Sequence, residues 1–219
     1  MDKVQENVNK IKSEVAHYNP LIVAVTKYFD ENQIIKYYEM GFRDFGENRV
    51  KAAIEKIEKL PKEIVQNSRF HLIGHLQSNK AKYAVGNFYL IHSIDSFHLA
   101  KCVSDEALKR GIKQKILLQV NNAHEEQKGG FEPDELKNQF PEILKLNGIE
   151  ILGLMNMAPI NASQEELHKL FGNIKQIKDE LECEFGVELK QISMGMSHDY
   201  KIALEEGATI IRLGRILFE

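Results

Sequence analysis

A single TIM-type (β/α)8 barrel, an α/β fold, is the architecture the sequence predicts, and three observations predict it. Five times a helix-like segment ends at a glycine and an apolar run starts at once: Gly41-Phe42, Gly111-Ile112, Gly148-Ile149, Gly186-Val187 and Gly207-Ala208. Glycine in that place caps a helix in the left-handed conformation and turns the chain straight into a strand. Repeated helix–glycine–strand units imply parallel strands with crossover helices. Eight apolar runs fit this rhythm, and 219 residues suit a barrel of roughly 200–250. The rival open doubly wound sheet commonly has fewer strands and a Gly-rich first turn, whereas no G-x-G-x-x-G follows the first run here. Residues 1–219 therefore read as one domain.

In chain order, Val4, Val8, Ile11 and Val15 make residues 2–17 an amphipathic helix ahead of the first strand. The strands are LIVAVTK (21–27), RDFGE (43–47), FHLIG (70–74), YLIHS (89–93), KILLQVN (115–121), IEILGLM (149–155), ELKQISM (188–194) and ATIIRLG (208–214). Helices fill the gaps. The clearest covers 163–183, where Ser163 to Glu166 form a capping box and Leu167, Leu170, Phe171, Ile174, Ile177 and Leu181 make one apolar stripe. Pro133 stands where a first helical turn would start, and Pro141 should kink or end that helix.

Composition narrows the function classes. A net charge of -3 without a long basic run argues against nucleic acid as a partner. Cys102 and Cys183 are the only cysteines and lack C-x-x-C spacing, so they read as reduced cytosolic thiols with neither disulfide nor metal. The charged start MDKVQENVNKIKSEV is no signal peptide, and no apolar run reaches the roughly 18 residues a membrane span needs. A soluble cytoplasmic protein is expected.

In barrels of this type the active face lies at the C-terminal ends of the strands. Lys27 ends the first strand; lysine is rarely buried without a partner, so its place at the end of a core strand asks for a reason. Glu47 and Asn48, His75, Ser93, Asn121, Asn156, Ser193 to Ser197 and Arg212 to Arg215 follow on the same rim. SMGMSHD (193–199) is a small-residue loop entering a helix, with Ser197 or Asp199 as its cap, and RLGR (212–215) holds a glycine that lets backbone approach a ligand. Loops after strands 7 and 8, with a helix N-terminus, frequently bind phosphate. A lysine, a phosphate cradle and an arginine between them suggest pyridoxal 5′-phosphate (PLP), whose aldehyde condenses with an amine and whose ring nitrogen needs a partner. Burial at the barrel mouth would disfavour the ammonium of Lys27 and leave more free amine.

With AVTK (24–27), GENR (46–49), FHLIGHLQSNK (70–80), HSIDS (92–96), VN with KGGF (120–121, 128–131), GLM (153–155), SMGMSHD (193–199) and GATIIRLG (207–214) in this order, the sequence resembles the pyridoxal phosphate homeostasis proteins. The resemblance spans essentially the whole chain and implies a barrel similar to the cofactor domain of bacterial alanine racemase. It implies that Lys27 carries PLP as an aldimine and that Ser193, Gly195, Met196 and Ser197, with the backbone of Gly214 and Arg215, hold the phosphate. By the same resemblance Arg212 faces the pyridine nitrogen and Asn48 lies beside the cofactor. Arg215 stands where many relatives carry a small hydroxyl residue, which removes a side-chain contact to phosphate. The sequence runs only to Phe218-Glu219 after strand 8, so a short or missing final helix is expected, with helix 2–17 covering the gap.

The function expected is PLP homeostasis: a monomeric carrier without substrate turnover of its own, which passes PLP to apoenzymes. An arginine at the ring nitrogen keeps the pyridine neutral and a weak electron sink. The alternatives are a small PLP-dependent amino-acid racemase, with His75, His92 or His198 as the second base, and a PLP-free barrel acting on a phosphorylated metabolite.

Overall fold

The computed structural model describes residues 3–123 and 129–218; Asp2, Lys128 at the head of KGGF, and Glu219 lie outside them. The described residues form eight strands: β1 (Leu21–Val25), β2 (Asp44–Glu47), β3 (Arg69–Leu72), β4 (Leu90–Ile94), β5 (Gln114–Val120), β6 (Ile149–Asn156), β7 (Gln191–Ser193) and β8 (Ile210–Leu213). They close in sequence order into an all-parallel barrel. Helices α1 (Lys3–Val15), α2 (Glu31–Glu39), α3 (Val50–Ile57), α4 (Lys62–Gln66), α5 (Ala81–Ala84), α6 (Phe97–Lys109), α7 (Pro133–Leu144), α8 (Gln164–Phe185), α9 (Tyr200–Glu205) and α10 (Arg215–Phe218) surround it. This is the predicted fold.

Alternation along each strand divides the core in two. Outward residues such as Ala24, Phe45, Leu72 and Ile116 pack under the helices, joined by Phe140, Phe171 and Ile174. Inward residues Val23, Leu90, Leu117, Met155 and Ile210 form a smaller cluster inside the barrel. Closure rests on β1 against β8, where Leu21 to Ala24 pair with Ile210 to Leu213, Val23 opposite Arg212.

The helix signals behave as the chemistry requires. Ser163 accepts from the Glu166 amide and Glu166 reaches back to Ser163, and α8 ends at Gly186 with φ 64°. Helix α7 starts at Pro133 and runs through Pro141 to Leu144, so the helix does not end at Pro141. Phe140 and Ile143 on either side of it are fully buried, and their packing holds the turn that proline would otherwise end. Helix α1 docks beside α10, and Tyr200 Oη donates to Glu14 at 2.7 Å. Helix α10 is short, as expected, and its Phe218 stacks on Tyr37 with ring centroids 4.2 Å apart.

Four of the five helix-ending glycines have positive φ: Gly41, Gly111, Gly186 and Gly207. Gly148 does not, which corrects its reading as a left-handed cap. It is needed for close approach instead: a Cβ there would collide with the Ser104 backbone of α6, and the Gly148 amide donates to Ser104 Oγ at 3.0 Å. The two kinds of glycine should respond differently to alanine. Gly111→Ala meets nothing within 4 Å and should cost only the left-handed backbone, about 1–2 kcal/mol. Gly148→Ala forces α6 away from β6 and should cost more than that, within or above the roughly 1–3 kcal/mol of overpacking. Urea denaturation of both variants checks the order; equal losses would mean that α6 yields freely.

Candidate functional site

The rim at the C-terminal ends of the strands gathers most of the residues singled out above. Strand β1 stops at Val25, and Lys27 lies two residues beyond it in a turn. Its side chain is exposed, with Nζ 4.9 Å from the centroid of the Tyr28 ring. The expected burial of Lys27 is therefore corrected. What fixes the backbone before it is a buried cluster missed in the sequence. Thr26 Oγ1 donates to Glu47 Oε1 at 2.7 Å, and Lys56 Nζ donates to both Glu47 Oε1 at 2.6 Å and the Thr26 carbonyl at 2.9 Å. Helix α3 thus clamps the end of β1 to the end of β2.

Asn48 follows β2, half-buried, and its backbone leaves no room for a Cβ on Gly74 after β3. After β7 the chain turns at Gly195, with φ 89°; a Cβ there would come within 2.6 Å of Ala203 Cβ, so this loop requires glycine. The Gly195 carbonyl accepts the Arg212 amide at 3.0 Å, which stitches the loop to β8. The Met196 amide donates to Asp199 Oδ1 at 2.5 Å. Asp199 caps α9 by position, but its side chain turns back to Met196 rather than onto the helix. Burial pushes the Asp199 carboxyl up, partly offset by the Met196 amide and by Arg212. Ser197 is half-buried beside it, Gly214 sits 3.5 Å from the Val25 side chain as judged from an added Cβ, and exposed Arg215 contacts His198 at 3.1 Å.

Arg212 and Ser193 point into the barrel. Arg212 is 4% exposed; its Nη1 donates to Ser193 Oγ at 2.8 Å and its Nη2 to the Asn156 carbonyl at 2.9 Å. Burial lowers the guanidinium to about 10, so it stays charged at neutral pH. The Ser193 hydroxyl is also 2.9 Å from His92 Nδ1, so its partners lie in the interior and not on the loop with Met196 and Ser197.

His92, a candidate second base in the racemase alternative, continues a polar string whose other members, His71, Asp44 and Arg69, the sequence did not single out. His92 Nε2 lies 3.0 Å from His71 Nδ1, and His71 Nε2 lies 2.9 Å from Asp44 Oδ1. Arg69 completes it with a two-pronged pair to Asp44 at 2.7 and 2.6 Å. His71 and His92 are fully buried. Burial holds His92 well below its ordinary 6.5, helped by His71 and Arg212. Burial also lowers His71, against the opposing pull of Asp44. For Asp44, burial acts upward but the bonds from His71 and Arg69 prevail and hold it low. His75, by contrast, is exposed and pairs with Asp95 at 3.1 Å. Among the described residues no cluster of His, Cys, Asp and Glu could hold a metal ion.

The family described as alanine racemase, N-terminal domain, matches residues 1–219. A pyridoxal phosphate homeostasis protein of Aquifex aeolicus is 41% identical over 90% of this chain and 85% of its own. One from Schizosaccharomyces pombe is 31% identical over 100% of this chain and 93% of its own. Two structures of PipY from Synechococcus elongatus, a COG0325 family member, are 35% identical and cover 99% of this chain and 100% of theirs. The structure without PLP superposes with a TM-score of 0.93 and the one with PLP bound with 0.90. An alanine racemase of Clostridium difficile, 16% identical, shares the fold over 100% of this chain and 56% of its own, with a TM-score of 0.79.

The buried imidazoles give the site a pH signature. Both have folded values below the ordinary 6.5, so below that pH the unfolded chain binds protons that the folded chain refuses, and stability falls. Asp44, held below its ordinary 3.8, extends the loss to more acid pH. Urea midpoints should therefore be highest above pH 6.5 and drop as pH falls from about 6.5 to 5. A flat profile over that interval would mean that the imidazoles are not neutral in the fold.

Proposed function

We propose, from the premise that this chain belongs to the pyridoxal phosphate homeostasis family, that it binds PLP at the C-terminal rim as a Schiff base with Lys27. Its role is to hold and release the cofactor, not to turn over a substrate. The observation that carries this reading is the setting of Arg212: a buried, charged guanidinium fixed at the mouth, on the strand paired with β1 and stitched to the Gly195 loop.

The residues fit the group. The loop Gly195–Ser197 excludes any Cβ at its turn and offers to a phosphate the Ser197 hydroxyl and the backbone amides other than that of Met196, which Asp199 holds, joined by the backbone at Gly214 and Arg215. Arg212 meets the ring nitrogen as a donor, and Asn48 flanks the ring. When bound, PLP supplies a reactive aldehyde and an electron-withdrawing ring. A guanidinium opposite the nitrogen cannot give it a proton readily, so the ring stays neutral and stabilises a carbanion poorly. Relatives at 41% and 31% identity carry the name of homeostasis proteins, which supports the same reading. Free Cys102 and Cys183 support a reducing, cytoplasmic setting, and no described helix is long and apolar enough to cross a membrane. The recipients are apoenzymes that need PLP, and the working form is the monomer.

Two outcomes test this. Borohydride reduction followed by peptide mapping should place the label on Lys27, and Lys27→Ala should fold but lose the visible absorbance band; a label on Lys80 instead would refute the assignment. Amino acids should perturb that band without exchanging their α-protons with deuterated solvent at enzymatic rates, because an arginine at the ring nitrogen leaves the ring a weak electron sink. Rapid exchange that vanishes in Lys27→Ala would replace the carrier reading with a racemase.

A further inference from the structure

We propose that Asp44, His71 and His92 are positioning residues for Arg212: a one-way string of hydrogen bonds, running through the barrel from its N-terminal end, that fixes the orientation of the guanidinium at the cofactor mouth. The proposal rests on the reading that Arg212 meets the ring nitrogen of PLP.

The direction of the string follows from its ends. Arg212 has only donors and an ionised Asp44 has only acceptors. Between them stand Ser193, His92 and His71, each link at 2.8 to 3.0 Å. With both imidazoles neutral, one arrangement satisfies every link. Arg212 Nη1–H donates to Ser193 Oγ, and the Ser193 hydroxyl donates to His92 Nδ1. His92 Nε2–H then donates to His71 Nδ1, and His71 Nε2–H to Asp44 Oδ1. Both imidazoles are neutral and both carry their proton on Nε2. A proton added to His71 would place two N–H groups face to face at 3.0 Å. Relief would require His92 to move its own proton to Nδ1 and Ser193 Oγ to accept it beside the Arg212 bond, which turns the Ser193 hydroxyl proton off the string. The burial of both rings opposes that proton, and Arg69 anchors the acceptor end through its two bonds to Asp44.

A purely structural role predicts something different. The inward neighbours of this string, Val23, Leu90, Leu117, Met155 and Ile210, are apolar, so apolar replacements inside the barrel would serve packing as well. Replacing both partners of a hydrogen bond by apolar groups of similar shape can be nearly neutral for stability. What such a replacement removes is the acceptor chain that holds Ser193 in place under the Arg212 guanidinium.

The test has two parts. Nitrogen-15 NMR of the histidine side chains in the PLP-free wild type should show His71 and His92 neutral, protonated on Nε2, at neutral pH. The double variant His71→Phe/His92→Leu should fold, keep the borohydride label on Lys27, lose roughly tenfold in PLP affinity, about one charge-assisted hydrogen bond, and shift its visible band. Wild-type affinity and an unshifted band in the folded double variant would overturn the proposal, as would an Nδ1–H or cationic imidazole in the wild type. Should the double variant not fold, the wild-type tautomers decide alone. A wild type that takes no label on Lys27 would refute the cofactor reading, and with it the target of the string, while the tautomers would still report the string itself.

Discussion

Pairing of β1 with β8 is the constraint on which the rest of the molecule depends. It joins the first strand to the last, and with Val23 opposite Arg212 it sets the turn that carries Lys27 beside the strand that carries the arginine and Gly214. An open sheet of the same strands in the same order would leave these residues at opposite edges. The closed register also gives Arg212 its surroundings, because the inward side of β8 faces β7 and β6, from which Ser193 and the Asn156 carbonyl reach it. Fold and site are therefore one problem here: the groups at the mouth are adjacent only because the sheet closes.

Rigid support behind the rim comes from contacts that bind loops to strands. The clamp of Lys56 and Glu47 on Thr26 holds the end of β1, and the bond from the Arg212 amide to the Gly195 carbonyl holds the loop after β7. A buried ion pair contributes little net stability against an apolar substitute, while losing one member costs about 3–5 kcal/mol. The Lys56–Glu47 pair is thus better understood as fixing a direction of the chain than as strengthening the fold.

Much of this was legible in the sequence, for reasons that differ by element. The eight strands were readable because buried parallel strands are apolar throughout and glycines punctuate them. Lys27 and Arg212 stood out because charge at the end of an apolar run is unusual. His71 did not stand out, and His92 did so only as a candidate base: each occupies an ordinary strand position, and only the register of β3 against β4 reveals that they touch. Alternation held the signal, since His71 shares its face with Ile73 and with Asp44 across the β2–β3 pairing, and following inward residues strand by strand would have found the string. Gly148 as a left-handed cap and Pro141 as a helix end were misread because their local signals are real but packing against α6, and around Phe140 and Ile143, overrides them. The burial expected for Lys27 failed because the strand ends at Val25 with its apolar run, two residues sooner than the predicted strand 21–27.

The string inside the barrel has a consequence for the electric field at the rim. Arg69 and Asp44 neutralise each other at one end, and the two imidazoles between are uncharged. Among the described residues no carboxylate forms an ion pair with Arg212, and the acidic group that acts on it, Asp199, turns its side chain to the Met196 amide. The positive charge of Arg212 therefore lies toward the C-terminal rim with low-dielectric protein around it. Such surroundings focus field lines toward the rim and raise the local concentration of anions there. The barrel would attract a phosphorylated ligand toward its mouth before any hydrogen bond to the cradle forms, and added salt would weaken that attraction.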